Sequence, residues 1–171
     1  MRTSTAFIAL AFVALATGCV SPPLAADARA PEALRSIRAA FEATVRAAKA
    51  DPEVRWVSGW DGNAQIEKDA KRHRGLCWEW QELVFAGVEP TARAVGWRAV
   101  RININRTIFS EHHAVLVYDP RSTSEDRLLE DPTPEAFVLD AWQRGEADVY
   151  TLVDWLDIPV IVFHPAELEK P

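Results

Sequence analysis

The first half of the chain carries apolar residues at helical spacing. Over positions 31–50 an apolar residue recurs every three or four places and charged residues occupy the other faces, which predicts an amphipathic helix with one buried side. A second helix is predicted over 61–73, with Asp61 or Asn63 as its N-terminal cap. A third helix is predicted over 76–86, where apolar residues again share one side.

The pattern changes after Gly96 from helical spacing to alternation. Residues 100–105 alternate apolar and polar side chains, as a half-buried strand does. The remaining predicted elements are strands over 111–118 and 136–142, a polar loop over 119–134, a short helix over 150–156 and a last apolar segment over 160–163. Helices followed by antiparallel strands indicate an α+β fold, with the helices packed on the sheet.

The N-terminus has the features of an export signal. Its apolar run, residues 6–16, is too short for a permanent membrane span. The run ends in Leu15-Ala16-Thr17-Gly18-Cys19, which resembles a bacterial lipobox. In that motif cleavage occurs before the cysteine, whose thiol then carries a diacylglycerol. An ordinary secretion signal with a chance cysteine is the alternative.

The lipobox resemblance implies a division of the chain. Residues 1–18 would be the lipoprotein signal peptide, Cys19 the lipidated residue, 19–30 a flexible tether and 31–171 a single domain. Val20 follows the cysteine in place of aspartate, which in such lipoproteins implies the outer membrane, facing the periplasm. The expected partner at this end is therefore a membrane in the bacterial cell envelope, reached through the lipid anchor.

Charge and cysteine content narrow the candidate chemistry. The formal net charge is −6, and loss of the signal with Arg2 makes it −7, so the chain lacks the basic character of a nucleic-acid-binding protein. With Cys19 acylated, Cys77 has no partner for a disulfide. Because the periplasm is oxidising, an unpaired thiol there is either a buried apolar group or a reactive one.

Cys77 is followed along the chain by an imidazole and a carboxylate. It is predicted at the N-terminus of the third helix, where the helix dipole and unpaired amides stabilise a thiolate. His112 and His113 lie in the second predicted strand, and Asp140 lies in the third. A thiol, a histidine that moves its proton and an acid that orients the histidine are the parts of a cysteine nucleophile. Adjacent strand residues face opposite ways, so one histidine can approach Cys77.

These residues resemble motifs of the transglutaminase-like branch of the papain-like superfamily. The similar segments are Gly75-Leu76-Cys77-Trp78 at a helix start, His113-Ala114 at the opening of a strand, and Leu139-Asp140-Ala141-Trp142 in the next strand. The resemblance implies a papain-like core with Cys77 as nucleophile, His113 as base and Asp140 as orienting acid, and it implies no metal or cofactor. The upstream oxyanion donor stays open among Gln65, Trp56 and Trp60.

The expected activity is that of a thiol-dependent amide hydrolase or acyl transferase acting through a Cys77 thioester. A peptide or protein is the expected substrate, with peptidoglycan peptides as one class suggested by envelope location. The alternative is a non-catalytic envelope lipoprotein that serves as a binding or assembly module. A zinc site built from Cys77, the two histidines and Asp140 is disfavoured, because adjacent strand histidines point apart.

Overall fold

The computed structural model describes residues 22–24, 31–106, 110–133, 135–158 and 164–169. The predicted signal, Cys19 and the predicted segment over 160–163 lie outside these ranges. Within them the chain mixes helices with an antiparallel sheet, and the α+β prediction is confirmed.

Three helices precede the main sheet. Helix α1 spans Glu32–Lys49, α2 spans Gly59–Lys68 and α3 spans Cys77–Ala94. Two short parallel strands, β1 at Arg55–Trp56 and β2 at His73–Arg74, flank α2. The chain therefore leaves β2 and turns directly into α3.

The main sheet has five antiparallel strands in the order β6-β5-β4-β3-β7. Its strands and the short elements around them are β3 at Arg98–Ile104, β4 at His112–Tyr118, a 3-10 turn at Glu125–Arg127, β5 at Ala136–Asp140, β6 at Asp148–Thr151, α4 at Leu152–Leu156 and β7 at Glu167–Leu168. Strands β3 to β6 lie side by side in the order in which they occur along the chain, whereas β7 pairs with the other edge of β3.

Both faces of the sheet are covered by apolar side chains. On one face α1 and α3 pack against Val115, Val117 and Leu139. On the other face α4 packs against Leu116 and Val138. Because alternate strand residues point to opposite faces, this double burial explains why β4 and β5 are apolar at nearly every position.

Helix α3 continues two turns beyond its predicted end, through Pro90. A proline removes one backbone hydrogen bond, here to the carbonyl of Ala86, and such a loss usually ends a helix. Ala86 and Pro90 both lie on the exposed side of α3, where water can bind the unpaired carbonyl. Burial of Val88 and Ala92 on the opposite side holds the extra turns against the core.

The segment before α1 contacts the folded body at Leu24. Its backbone N–H donates to the oxygen of Val149 on the edge strand β6 at 2.7 Å, and its oxygen accepts from Arg38 of α1 at 3.1 Å. The Leu24 side chain also packs against the core on the helical face. This part of the predicted free tether is therefore held, because it pairs with an otherwise open sheet edge and covers apolar surface.

Candidate active site

Cys77 is the first residue of α3 and lies where that helix meets the end of the sheet. Its Sγ is 3.7 Å from the backbone oxygen of Glu111, the residue directly before β4. The thiol is free and partly exposed. As the first helical residue, Cys77 keeps a backbone amide with no partner inside the helix, and the helix dipole favours a negative charge there. The predicted position of Cys77 at a helix N-terminus is confirmed.

Glu79 stabilises the turn that presents the thiol. Its carboxylate accepts hydrogen bonds from the backbone N–H groups of Gly75 at 2.8 Å and Leu76 at 3.0 Å, and it lies 3.4 Å from the guanidinium of Arg74. A carboxylate at the third helical position that reaches back to preceding amides is a common helix-capping arrangement. Glu79 thus acts on the geometry of the Cys77 turn.

Gly75 is required by the close approach of this turn to β1. Its φ is +126°, in the region that side chains disfavour, and a Cβ there would lie 2.0 Å from the backbone oxygen of Val57. The same oxygen accepts a hydrogen bond from the indole of Trp80 at 2.8 Å, so it cannot move away freely. The glycine two residues before Cys77 is therefore explained by steric constraint.

Replacing Gly75 with alanine is expected to lower the free energy of unfolding by roughly 2–4 kcal/mol, because the new Cβ adds a backbone clash to the unfavourable φ. Gly96→Ala is the matched control: Gly96 also has positive φ, +81°, but a Cβ there meets nothing within 4 Å. The control should lose about 1 kcal/mol. Urea unfolding of both variants measures the difference, and equal losses would contradict the steric explanation.

Asp140 pairs with His112, so the predicted role of His113 beside Cys77 needs correction. The Nε2 atom of His112 lies 2.7 Å from Oδ2 of Asp140. Strands β4 and β5 pair Val115 with Leu139 and Leu116 with Val138, so even-numbered residues of both strands share one face. That register puts His112 on the face of Asp140, and it puts His113 on the opposite face.

The second ring nitrogen of His112, Nδ1, is not used by Asp140 and is available to the Cys77 thiol. Nδ1 is buried and has no hydrogen-bond partner within the described residues. Cys77 lies close enough to His112 to raise the pKa of its imidazole, although it contributes less than Asp140 does. Since Asp140 occupies Nε2, Nδ1 is the nitrogen available to the sulfur. The structure therefore brings together Cys77, His112 and Asp140.

Asp140 is held by four donors in a buried pocket. Besides His112, its carboxylate accepts from the indole N–H of Trp155 at 3.0 Å, from the backbone N–H of Trp142 at 3.0 Å and from the side-chain amide of Gln143 at 3.3 Å. The Asp140 side chain is fully buried. A buried carboxylate with this many donors is fixed as the anion and cannot rotate away from the imidazole.

Two indole rings enclose the His112 ring. Trp142 lies 4.9 Å from it, between ring centroids, and Trp155 of α4 lies 5.5 Å away, nearly parallel. Indole faces attract a cation, so this position favours the imidazolium form of His112 as well as its orientation. Burial alone opposes that charge, but the Asp140 carboxylate, with a smaller contribution from Cys77, raises the pKa of His112 to about 10.

The pKa of Asp140 shifts in the complementary direction. Burial by itself would raise it, but the charge of His112 and the hydrogen bonds from His112, Trp155 and Trp142 together lower the pKa below its ordinary value. Both shifts describe one ion pair, with an imidazolium and a carboxylate as the favoured charge states at neutral pH.

His113 lies on the helical face of the sheet among acceptors. Its Nε2 is 2.8 Å from a carboxylate oxygen of Glu111, and its Nδ1 is 3.3 Å from the side-chain oxygen of Gln81 and 3.4 Å from Glu169. None of these contacts involves Cys77 or Asp140. His113 therefore belongs to the contact between α3, β4 and the end of the chain.

Sequence reasoning missed the residues that enclose the histidine. Trp142 could have been suspected, since alternation puts it on the same strand face as Asp140, whereas Trp155 and Gln143 carry no pattern that connects them to the site. Asn63 was also missed. Its side-chain oxygen accepts from the indole N–H of Trp142 at 3.3 Å, which orients the amide group.

The three predicted oxyanion candidates lie in different settings. Gln65 donates to the backbone of Asp61 within α2, and Trp56 packs on Trp80 with 4.6 Å between ring centroids. Trp60 is 62% exposed and contacts Trp142 edge-on. Of the three, Trp60 alone touches a residue that packs on His112.

An open groove of about 790 Å³ borders the start of α3. Its walls are mainly apolar and include Trp56, Ile66, Leu76, Trp78 and Leu83. Trp78, directly after Cys77, is 50% exposed. Large exposed aromatic side chains beside a groove are typical of a binding surface.

No family model, curated protein or solved structure matches this chain. In the part of the chain that the structure describes, no helix has both the length and the apolar character needed to cross a bilayer. Within the same residues, no group of three or more histidine, cysteine or acidic side chains could hold a metal ion.

Proposed function

We propose that this protein is a thiol-dependent amide hydrolase or acyl transferase with Cys77 as nucleophile, His112 as proton carrier and Asp140 as orienting acid. One observation carries the proposal: Asp140 holds Nε2 of a largely buried imidazole whose Nδ1 has no hydrogen-bond partner within the described residues and whose pKa is raised in part by the nearby Cys77. A buried polar atom without a hydrogen-bond partner needs an explanation, and proton exchange with a nucleophilic thiol supplies one. On this proposal the α+β body is a papain-like core of the transglutaminase-like kind.

The chemistry follows from the charge states. The thiol proton resides on Nδ1 of His112, which leaves Cys77 as a thiolate beside an imidazolium. The thiolate attacks the carbonyl carbon of an amide, and the carbonyl π electrons move to oxygen. When the C–N bond breaks, the imidazolium gives its proton to the leaving amine and a thioester remains on Cys77. Water or a second amine, deprotonated by His112, then attacks the thioester carbonyl. The C–S bond breaks, the acyl group leaves as the acid or the new amide, and the Cys77 thiolate is again beside the imidazolium.

The negative oxygen formed in this attack needs donors. The backbone amide of Cys77 is one, since it has no partner inside the helix. Asn63 is our candidate for the second, in place of the residues suggested by sequence. The bond that its side-chain oxygen accepts from Trp142 fixes the orientation of the amide, whose nitrogen is a hydrogen-bond donor.

The groove lined by Leu76 and Trp78, the residues on either side of Cys77 in the chain, supports a peptide or protein as the substrate. An extended peptide needs an open, partly apolar channel, and the groove along Leu76, Trp78 and Trp56 is of this kind. Peptidoglycan peptides become one such substrate if the chain is an envelope lipoprotein anchored through Cys19. The held position of Leu24 would then keep the domain near the membrane, because five residues span at most about 18 Å.

The pH dependence of Cys77 alkylation tests the proposed function. In the full chain in mild detergent, iodoacetamide should modify Cys77 nearly as fast at pH 6 as at pH 8, because the proposed chemistry pairs a thiolate with an imidazolium. In His112→Ala the rate at pH 6 should fall about 100-fold, towards the behaviour of a model thiol with a pKa of about 8.5. Mass spectrometry of the Cys77 peptide separates it from Cys19.

An ordinary thiol titration in the unaltered protein, identical in His112→Ala, would contradict the proposed chemistry. It would instead favour the non-catalytic alternative, in which the groove binds a partner and Cys77 is structural. His73→Ala is a suitable control, since His73 contacts the backbone of Asp69 and not the thiol.

A further inference from the structure

Gln81 connects the helix of the nucleophile to the strand of the histidine. It lies four residues after Cys77 in α3 and is 3% exposed. Its side-chain nitrogen donates to the backbone oxygens of Ala114 at 2.7 Å and Ile102 at 3.0 Å, and its side-chain oxygen faces Nδ1 of His113 at 3.3 Å. Both amide hydrogens and the carbonyl oxygen are therefore used.

Gln81 and its partners lie beside the candidate active site, Gln81 along helix α3 from Cys77 and Ala114 along strand β4 from His112. Residues four apart on a helix lie on the same side, so Gln81 is one turn below Cys77 on the surface that meets the sheet. Ala114 is two residues after His112 on β4, and it pairs directly with Ile102 of β3. A direct hydrogen-bonded connection between the helix that begins at Cys77 and the strand that begins at His112 therefore runs through this amide.

A hydrogen-bonded amide constrains this position more tightly than an apolar side chain would. Packing of α3 on the sheet is non-directional, and apolar surfaces tolerate small shifts along the helix axis. Three hydrogen bonds in fixed directions allow one axial position and one rotation. Loss of the donors would also remove the hydrogen bonds that the helix makes to two strand carbonyls, which favours a shifted helix.

We propose that Gln81 is a positioning residue that sets the distance between the Cys77 sulfur and His112. The inference rests on the proposed function, because it concerns the same thiol–imidazole pair. It also assigns a role to His113, which supports the Gln81 oxygen from β4 and does not take part in proton transfer.

The test compares Gln81→Met with Val88→Ala in the full chain. Methionine keeps the volume of glutamine and loses its hydrogen bonds, whereas Val88 is a fully buried residue of the same helix far from its N-terminus. Both variants should lower the melting temperature. The measured quantity is the ratio of iodoacetamide labelling rates of Cys77 at pH 6 and pH 8.

In Gln81→Met this ratio should fall at least about 10-fold, since a misplacement near 1 Å can cost a reacting pair 100-fold. Val88→Ala should keep the unaltered ratio despite its lower melting temperature. The inference is overturned if Gln81→Met retains the ratio, or if Val88→Ala loses it equally. Should Gln81→Met fail to fold, Gln81→Glu decides by the same criterion, because it keeps the acceptor for His113 and removes the amide donors.

The two proposals fail differently in this experiment. If the unaltered protein labels slowly at pH 6, the thiolate–imidazolium pair is absent, and the proposed function falls together with the role of Gln81. If the unaltered protein labels rapidly at pH 6 and Gln81→Met does the same, only the positioning role is lost.

Discussion

His112→Ala is expected to slow acylation of Cys77 by p-nitrophenyl acetate about 1,000-fold at pH 7, and His113→Ala less than about 10-fold. His112 is the imidazole that Asp140 orients and that has a nitrogen free for the thiol. His113 contacts Glu111 and Gln81 on the other face of the sheet. The pre-steady-state burst of nitrophenolate, recorded with the ester in excess, measures the acylation rate directly.

The two variants form a matched pair, because the residues are adjacent, equally exposed and each tied to a carboxylate. A loss common to both would therefore indicate damage to β4 and not removal of a proton carrier. The opposite ranking, with His113→Ala the slower, would refute the assignment of His112. Cys77→Ala should give no burst, which ties the signal to this thiol.

Asp140→Ala is expected to lower the free energy of unfolding by about 3–5 kcal/mol at pH 6, because it leaves the charge of His112 buried without its partner. Three further donors, from Trp142, Gln143 and Trp155, also lose their acceptor. Asp131→Ala is the control, since Asp131 forms an exposed ion pair with Arg127 and should cost less than about 1 kcal/mol. Urea unfolding measures both.

The same ion pair predicts how stability changes with pH. The pKa of His112 is raised from 6.5 to about 10, so its contribution is complete below pH 6.5 and is lost as the pH rises towards 10. The pKa of Asp140 is lowered from 3.8, so its contribution is present above that pH and is lost below it. Stability from the pair is therefore greatest between about pH 4 and 6.5.

Asp140→Asn separates this effect from other titrations. The neutral amide removes the partner charge, so the decline in unfolding free energy between pH 6.5 and 10 should become much smaller. Acylation by the activated ester should also slow, because the amide no longer stabilises the imidazolium. An unchanged pH profile in Asp140→Asn would show that the His112–Asp140 pair does not control stability.

Much of the local structure could be predicted from the sequence. The apolar stripe of α1 and the start of α3 at Cys77 follow from spacing that a helix must bury on one side. Strands β3, β4 and β5 lie where alternation or an apolar run placed them. Short strands were missed, namely β1, β2, β6 and β7, because two to four residues carry too little periodicity. The last two residues of β6 were predicted as the start of a helix over 150–156.

The choice between His112 and His113 depended on the register of β4 against β5. Each strand taken alone shows which of its residues share a face, and that alternation was read correctly. It does not show which face of one strand matches which face of the other. A tight turn would have set the register, but residues 119–135 form a long connection, and both faces of β4 are apolar.

The sequence by itself determined the longer helices and strands, the thiol at a helix start and the carboxylate in the neighbouring strand, because each depends on residues close together along the chain. Only the tertiary structure decided that His112 meets Asp140, that Trp155 of α4 closes the pocket and that Gln81 ties α3 to β4. These contacts join residues far apart in sequence. They are set by how whole faces pack and pair, and a one-residue slip would reverse which side chains meet.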